Sequence, residues 1–511
     1  MGMALAGDRL AVGTKIQVWE YVDVPAVTAK LDPPGRHDAC FLPRSSHVTG
    51  NIQIHESPAG CRCPTRRGGT PAGSGSASRA RGRSGSSIRT PASTSRSPRC
   101  RDLPAGSTSP ATSPSSACRR CATKLTNCTV SGNSATGGNG GLYNAGGKAT
   151  LTDCTVSGNS ASGDGGGLEN FNADTMTLIN CTVSGNKAGA NGGGLLNVGA
   201  GNNFGLATLM MTNCTVSGNT AGKDGGGVYN TYASTTTLTN CTVSGNSAGK
   251  NGGGLQISFG TTTLTNCTVS GNSAVAGGGI SNQATLNVSS SNIIKNQASG
   301  GSGSGLAAGG GIFNNGGSLA LTNSTLTGNT AIGGAGDSGG AGGDGIGGGL
   351  ALENNSTATI TNTAFVGNLA QGSAGGAGAI GGDGIGGGIA VAIGSIFGTP
   401  DTSSIALSNS TLIGNVAQGG RGGKGADGGN GWGGGAFVGA GGSATLDQAD
   451  VLLNLALGSL ACEGGSNSNG DGIGGGLYVA TGGMVSLKKS TVALNFASTS
   501  NDNIYGTVTY L

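Results

Sequence analysis

The unit LTNCTVSGNSA, followed by a glycine-rich stretch that ends in GGGL, recurs through the last three quarters of the chain. Its cysteine stands at Cys128, Cys154, Cys181, Cys214, Cys241 and Cys267, and the same register continues through Ser291, Ser324, Thr363, Ser410, Ala449 and Ser490. Twelve copies spaced 24 to 47 residues apart lie in the period range of solenoids, where each unit buries its apolar face only against the next. An apolar residue precedes the cysteine position by three (Leu125, Leu151, Leu178) and another follows it by two (Val130, Val156, Val183). A spacing of two puts Cys and Val on one face of a strand, whereas a spacing of three puts Leu on the other face unless the chain bends between them. The residue before the cysteine is Asn127, Asp153, Asn180, Asn213, Asn240 or Asn266 in the first six copies, and Asn tolerates the left-handed conformation such a bend requires.

These spacings predict an all-β chain: a right-handed parallel β-helix of about twelve coils, preceded by a poorly ordered N-terminal region. Each coil is expected to hold three strands, the third built on GGGL. A second Asn series, Asn133, Asn159, Asn186, Asn219, Asn246 and Asn272 in the first six copies, closes each VSGN strand and is placed to trade amide hydrogen bonds along the rod. Coil length varies almost wholly in the glycine-rich stretch, which is therefore expected to protrude as a loop and to carry any function. The 108 glycines follow no triplet period, which excludes collagen.

The chain divides into three segments. Residues 1–56 read as a fragment of a strand-rich globular domain. Residues 57–122 hold twelve Arg, no Lys and one acid, a composition that forms no core. Arg-only basic usage is what GC-rich DNA gives out of frame, so the preferred reading of this tract is translation outside its frame. Nucleic acid is not expected as a partner, because the tract lacks interleaved aromatics and a binding fold. Cys61, Cys63, Cys118 and Cys121 imitate a zinc pattern there and are discounted for the same reason. Residues 123–511 form the repeat domain, with 10 basic residues, 16 acids and no His. No apolar run is long enough to span a membrane as a helix, and the opening residues lack the pattern of a secretory signal.

Two resemblances add to this reading. The run PPGRHDACFLPRSSHVTGNIQIHE resembles the opening of an uncharacterised bacterial family known only as a domain of unknown function, and it implies no activity. The alternation of GGGL with TVSGN resembles the GGA(I/L/V) and FxxN repeats of chlamydial-type polymorphic outer membrane proteins, within the pectate-lyase-like superfamily. FxxN is matched in full only by Phe365 to Asn368. That resemblance implies an extracellular or cell-surface location. Its members also carry a signal peptide and a membrane barrel, neither of which is recognised here.

For chemistry, the cysteine column gives way to Ser, Thr and Ala, so it is expected to be a buried thiol ladder in which the position asks for a small side chain. The NCT tripeptides look like glycosylation sequons, but their place in strands predicts burial. GGAGGDGIG at Gly339–Gly347 fits a calcium nonapeptide, with a looser echo around Asp427, which makes Asp344 and Asp427 the candidate metal residues and calcium the candidate ion. The pattern occurs singly and not in tandem, so a flexible loop is the preferred reading. The acids Asp164, Glu169, Asp224, Asp344, Asp383 and Asp471 are expected to fall singly near the loops, without the cluster that a polysaccharide lyase or hydrolase needs. No catalytic residue or organic cofactor is assigned. The expectation is a non-catalytic rod, adhesive or structural, that presents glycine-rich loops to glycans or surface proteins. A carbohydrate-active β-helix enzyme is the alternative.

Overall fold

The computed structural model describes residues 122–511, apart from positions 146, 173, 200–205 and 463–467; upstream, only the backbone of short strands between Met3 and His55 is described. The Arg-rich tract, with Cys61, Cys63, Cys118 and Cys121, lies outside the described residues. The repeat region is a right-handed parallel β-helix. We number the coils 1 to 12 by the cysteine position, from Cys128 to Ser490.

Four strands, not three, make each coil. In coil 2 they are Lys148–Thr152, Thr155–Ser157, Ser160–Ala161 and Leu168–Phe171. Equivalent strands pair in parallel and in register from coil to coil, giving a first, second, third and fourth sheet that run the length of the repeats. Short Ser-Ala segments carry the extra sheet. At two or three residues each, the strands of this sheet are too short for an alternating pattern to mark them in sequence.

The bend that resets strand parity falls where the spacing placed it. Asn127, Asp153, Asn180, Asn213, Asn240 and Asn266 all hold φ between 52° and 54°. Ser290, Gln448 and Lys489 adopt the same conformation in later coils, so the turn is set by the stack and Asn only eases it. With the parity reset, Leu151, Cys154 and Val156 all point inward and are at most 1% exposed. The GGGL column runs in register from Leu142 through Leu168, Leu195, Val228 and Leu255 and, via Ala436, reaches Leu477. These columns line one continuous apolar interior.

Two polar ladders run through that interior. Asn159 Nδ2 donates to Asn186 Oδ1 at 2.9 Å, Asn186 to Asn219 at 2.9 Å, Asn219 to Asn246 at 2.9 Å and Asn246 to Asn272 at 2.9 Å, and the series continues to Asn495. Each of these amides also receives a backbone N–H from the coil before and donates to a second-sheet carbonyl, as Asn246 does to Val216 and Asn415 to Phe365, so both polar atoms are used. A second ladder, absent from the sequence reading, stacks Asn144, Asn170, Asn197 and Asn230 in the fourth sheet at 2.7 to 2.9 Å. Its signal was present as an Asn two residues after the GGGL leucine. It ends as a continuous run where Ile257 takes the position, resumes between Asn282 and Asn314, and gives way to Leu352.

The glycine-rich loops differ most from expectation. In coils 7 to 11 they stack on one another, and Ala307–Ala308, Gly345–Ile346, Gly384–Ile385, Gly431–Trp432 and Gly472–Ile473 form a fifth, side sheet. Further backbone bonds tie loop to loop, such as Gly336 to Ala374 at 2.9 Å, Gly378 to Lys424 at 2.9 Å and Gly381 to Asp427 at 3.0 Å. Glycine is required because the strands of this layer nearly touch. A Cβ on Gly423 would sit 1.7 Å from the Gly376 carbonyl oxygen, and one on Gly376 would sit 1.8 Å from that of Asp337. Beneath the layer Phe313, Ile346, Ile385, Ile393 and Phe437 form a second apolar cluster.

Candidate functional site

The cysteine column is a hydrogen-bonding position, and a small side chain is not a sufficient description of it. Cys181 Sγ donates to the Ile179 carbonyl at 3.2 Å, and Cys154 N–H donates to Cys181 Sγ at 3.4 Å. Where the column changes to serine the bonds persist: Cys267 N–H donates to Ser291 Oγ at 2.9 Å, and Ser291 Oγ donates to the Ser289 carbonyl at 2.7 Å. A γ-atom that both donates and accepts is what Cys, Ser and Thr share, and Ala449 is the one member without it. Cys128, Cys154, Cys181, Cys214, Cys241 and Cys267 are all buried thiols. The NCT triplets divide at this turn. The cysteine is buried, but Asn127, Asn180, Asn213, Asn240 and Asn266 are exposed, which corrects the expected burial of the sequons. Their side chains form an outer ladder, with Asn240 Nδ2 donating to Asn213 Oδ1 at 3.1 Å.

The acids lie in a line along the edge of the glycine-rich turns. In the early coils Asn139, Asp164, Asn191, Asp224 and Asn251 alternate amide and carboxylate. Asp164 Oδ1 accepts the Asn191 N–H at 2.8 Å, and Asp224 Oδ1 accepts both the N–H and the Nδ2 of Asn251, at 3.1 and 3.0 Å. In the late coils the line is Asp344, Asp383, Asn430 and Asp471: Asp344 Oδ1 accepts the Asp383 N–H at 2.7 Å, and Asp383 Oδ1 accepts the Asn430 N–H at 2.6 Å. Asp164, Asp224, Asp344 and Asp383 thus each cap the loop of the next coil.

Two placements correct the sequence reading of the acids. Asp344 and Asp383 occupy consecutive coils and do not stand singly. Burial raises the carboxyl pKa of both, that of Asp383 to about 6. Glu169, on the outward column of the fourth sheet between Tyr143 and Leu196, is pushed up to about 7 by burial and by the neighbouring Asp164. Tyr143 is pushed up to about 12 by burial and by the charges of Glu169 and Asp174.

Asp344 and Asp427 are not brought together. Asp427 belongs to the loop of coil 10, two coils from Asp344, a separation of roughly 10 Å at one strand spacing per coil. Its Oδ1 accepts the Ser468 N–H at 2.7 Å. Among the described residues no group of three or more His, Cys, Asp or Glu could hold a metal ion. The nonapeptide-like segment is part of a hydrogen-bonded stack, in which Asp344 caps the loop of the next coil.

Comparison with known proteins bears only on the N-terminal segment. Residues 1–60 match the family model of Domain of unknown function (DUF4915), a stretch that contains PPGRHDACFLPRSSHVTGNIQIHE and ends before the repeats begin. No curated protein and no solved structure matches the chain. No helix among the described residues is long and apolar enough to cross a membrane.

Proposed function

We propose that the repeat domain is a non-catalytic rod of the secreted or cell-surface kind, adhesive or structural, whose partners are glycans or surface proteins. The observation that carries this reading is in-register repetition. The same outward side chain recurs from coil to coil, about 4.8 Å apart, so an extended partner meets the same groups many times. Weak contacts repeated on a rigid support add to strong attachment without any single deep site. The stacked loops fit this reading, because their order is already set before a partner arrives. A glycan array read beside a polygalacturonate cleavage assay tests it. Retained glycans without turnover are expected; turnover of any uronan refutes the non-catalytic assignment.

A second reading, a carbohydrate-active enzyme, draws on Glu169. A carboxyl that keeps its proton near neutral pH beside a second carboxyl, that of Asp164, is the arrangement of a general acid and its partner. This reading requires turnover that Glu169→Gln abolishes while the fold is kept.

A further inference from the structure

We infer that the threonine-rich face of the first sheet, over coils 3 to 10, binds a crystalline lattice, and that ice is the solid it fits. On the first sheet, coils 3 to 10 offer 24 outward positions, three per strand from Thr175–Ile179 to Ser404–Ser408. Fifteen are threonine, four are serine and none is charged. On the second sheet, the outward pair of every strand from Thr129–Ser131 to Thr268–Ser270 is Thr then Ser, six coils in succession. Between the two sheets runs the outer Asn ladder, its amides bonded coil to coil at 2.8 to 3.2 Å from Asn180 to Asn266.

High β-propensity accounts for threonine on a strand but not for this neutrality. A solvated surface ordinarily carries about 25–35% charged residues, and outward strand positions are a usual place for them. The chain does use charges, but outside this stretch: Lys124 and Lys148 stand on the first sheet in coils 1 and 2, Asp447 and Lys488 on it in coils 11 and 12, and Lys187, Lys223 and Lys250 on the third sheet and the adjoining turns. The threonine face is thus kept free of groups whose tightly held hydration shells do not fit a lattice.

Geometry points the same way. Hydroxyls repeat about every 4.8 Å across the strands and about 6.6 Å along them, the first close to the shorter repeat of oxygen atoms on a prism face of ice and the second somewhat below the longer one. Threonine offers a hydroxyl that joins such a lattice and a methyl that fills its hollows, and β-branching restricts χ1. Sheets normally twist out of register with any flat solid, and specific side-chain ladders are among the features that oppose twist. Here the outer Asn ladder runs along the edge of this face. Because the face is held rigid, little conformational freedom is lost on binding.

The inference stands apart from the adhesive reading, since a blank glycan array would leave it intact. The test uses the full chain in nanolitre osmometry with ice-partition assays, alongside the double variant Thr237→Lys/Thr263→Lys and the control Lys223→Glu on another face. The wild type is expected to facet ice crystals, show thermal hysteresis and partition into ice. The double variant should lose these by at least about tenfold, as expected when a multivalent contact is interrupted. The control should match the wild type, and circular dichroism should be unchanged in all three. A wild type that neither shapes nor enters ice overturns the inference, as does a double variant of full activity. Retention on microcrystalline cellulose or chitin without activity on ice overturns it as well.

Discussion

Asn246 and Asn240 lie six residues apart in coil 5, and each takes part in an amide ladder of ordinary bond length. Asn246 is 1% exposed, while Asn240 faces solvent. Asn246→Ala removes four bonds: two accepted from Asn219, through its backbone N–H at 3.0 Å and its Nδ2 at 2.9 Å, and two donated, to Val216 at 3.0 Å and Asn272 at 2.9 Å. Asn219 N–H then faces an apolar interior without its acceptor. With about 1 kcal/mol net per bond and about 1–3 kcal/mol for a stranded buried donor, the expected cost is about 5–7 kcal/mol. Asn240→Gly breaks the outer ladder at the same coil while keeping the left-handed turn, and water replaces the lost partners; the expected change is within about 1 kcal/mol. Urea unfolding followed by circular dichroism compares the two variants. In a solenoid held by nearest-neighbour terms, a weakened rung at coil 5 should also reduce cooperativity, seen as a lower m-value or a second transition. If Asn246→Ala costs less than about 1 kcal/mol, or no more than Asn240→Gly, the ladder does not hold the coils together as argued.

Three further outcomes follow from particular contacts. Cys214→Ser keeps a γ-atom that donates to Thr212 O and accepts from Cys181 N–H, so it should cost about 1 kcal/mol, whereas Cys214→Val strands that N–H and overfills the column at about 3 kcal/mol in chemical denaturation. Gly423→Ala forces a Cβ against the Gly376 carbonyl; hydrogen exchange should show the coil 9 and 10 loop amides losing at least about 2 kcal/mol of protection while first-sheet amides keep theirs. Glu169 keeps its proton in the folded state up to about pH 7 and loses it near pH 4.5 when unfolded. Its contribution is therefore fully present below pH 4.5 and is lost as pH rises through 7, a fall of about 3 kcal/mol that Glu169→Gln should abolish in melts at pH 4.5 and pH 8.

The parts legible in sequence were those fixed by spacing. The spacing of three from Leu151 to Cys154 required a bend, Asp153 supplied it, and the stacking of equivalent asparagines followed from their shared register. What could not be read was what a side chain touches once coils meet. The need for a γ-atom at Cys214 appears only beside the Cys181 N–H one coil earlier. The pairing of Asp344 with Asp383 across 39 residues appears only when two loops of matching form are laid together. Glycine misled most. In isolation GGAGGDGIG describes freedom of the chain, but beside a neighbour of the same kind its missing side chains allow backbones to approach and bond.

That close approach constrains how the chain can change. Each long turn in coils 8 to 11 supplies donors to one neighbour and acceptors to the other along much of its length. A residue gained or lost in a single turn would strand polar groups in the turns on both sides. Length in this layer can therefore shift only when adjacent repeats shift together, as duplication of whole units does. The near-identical GGDGIGGGL and GGDGIGGGI of coils 8 and 9 are what such inheritance leaves behind.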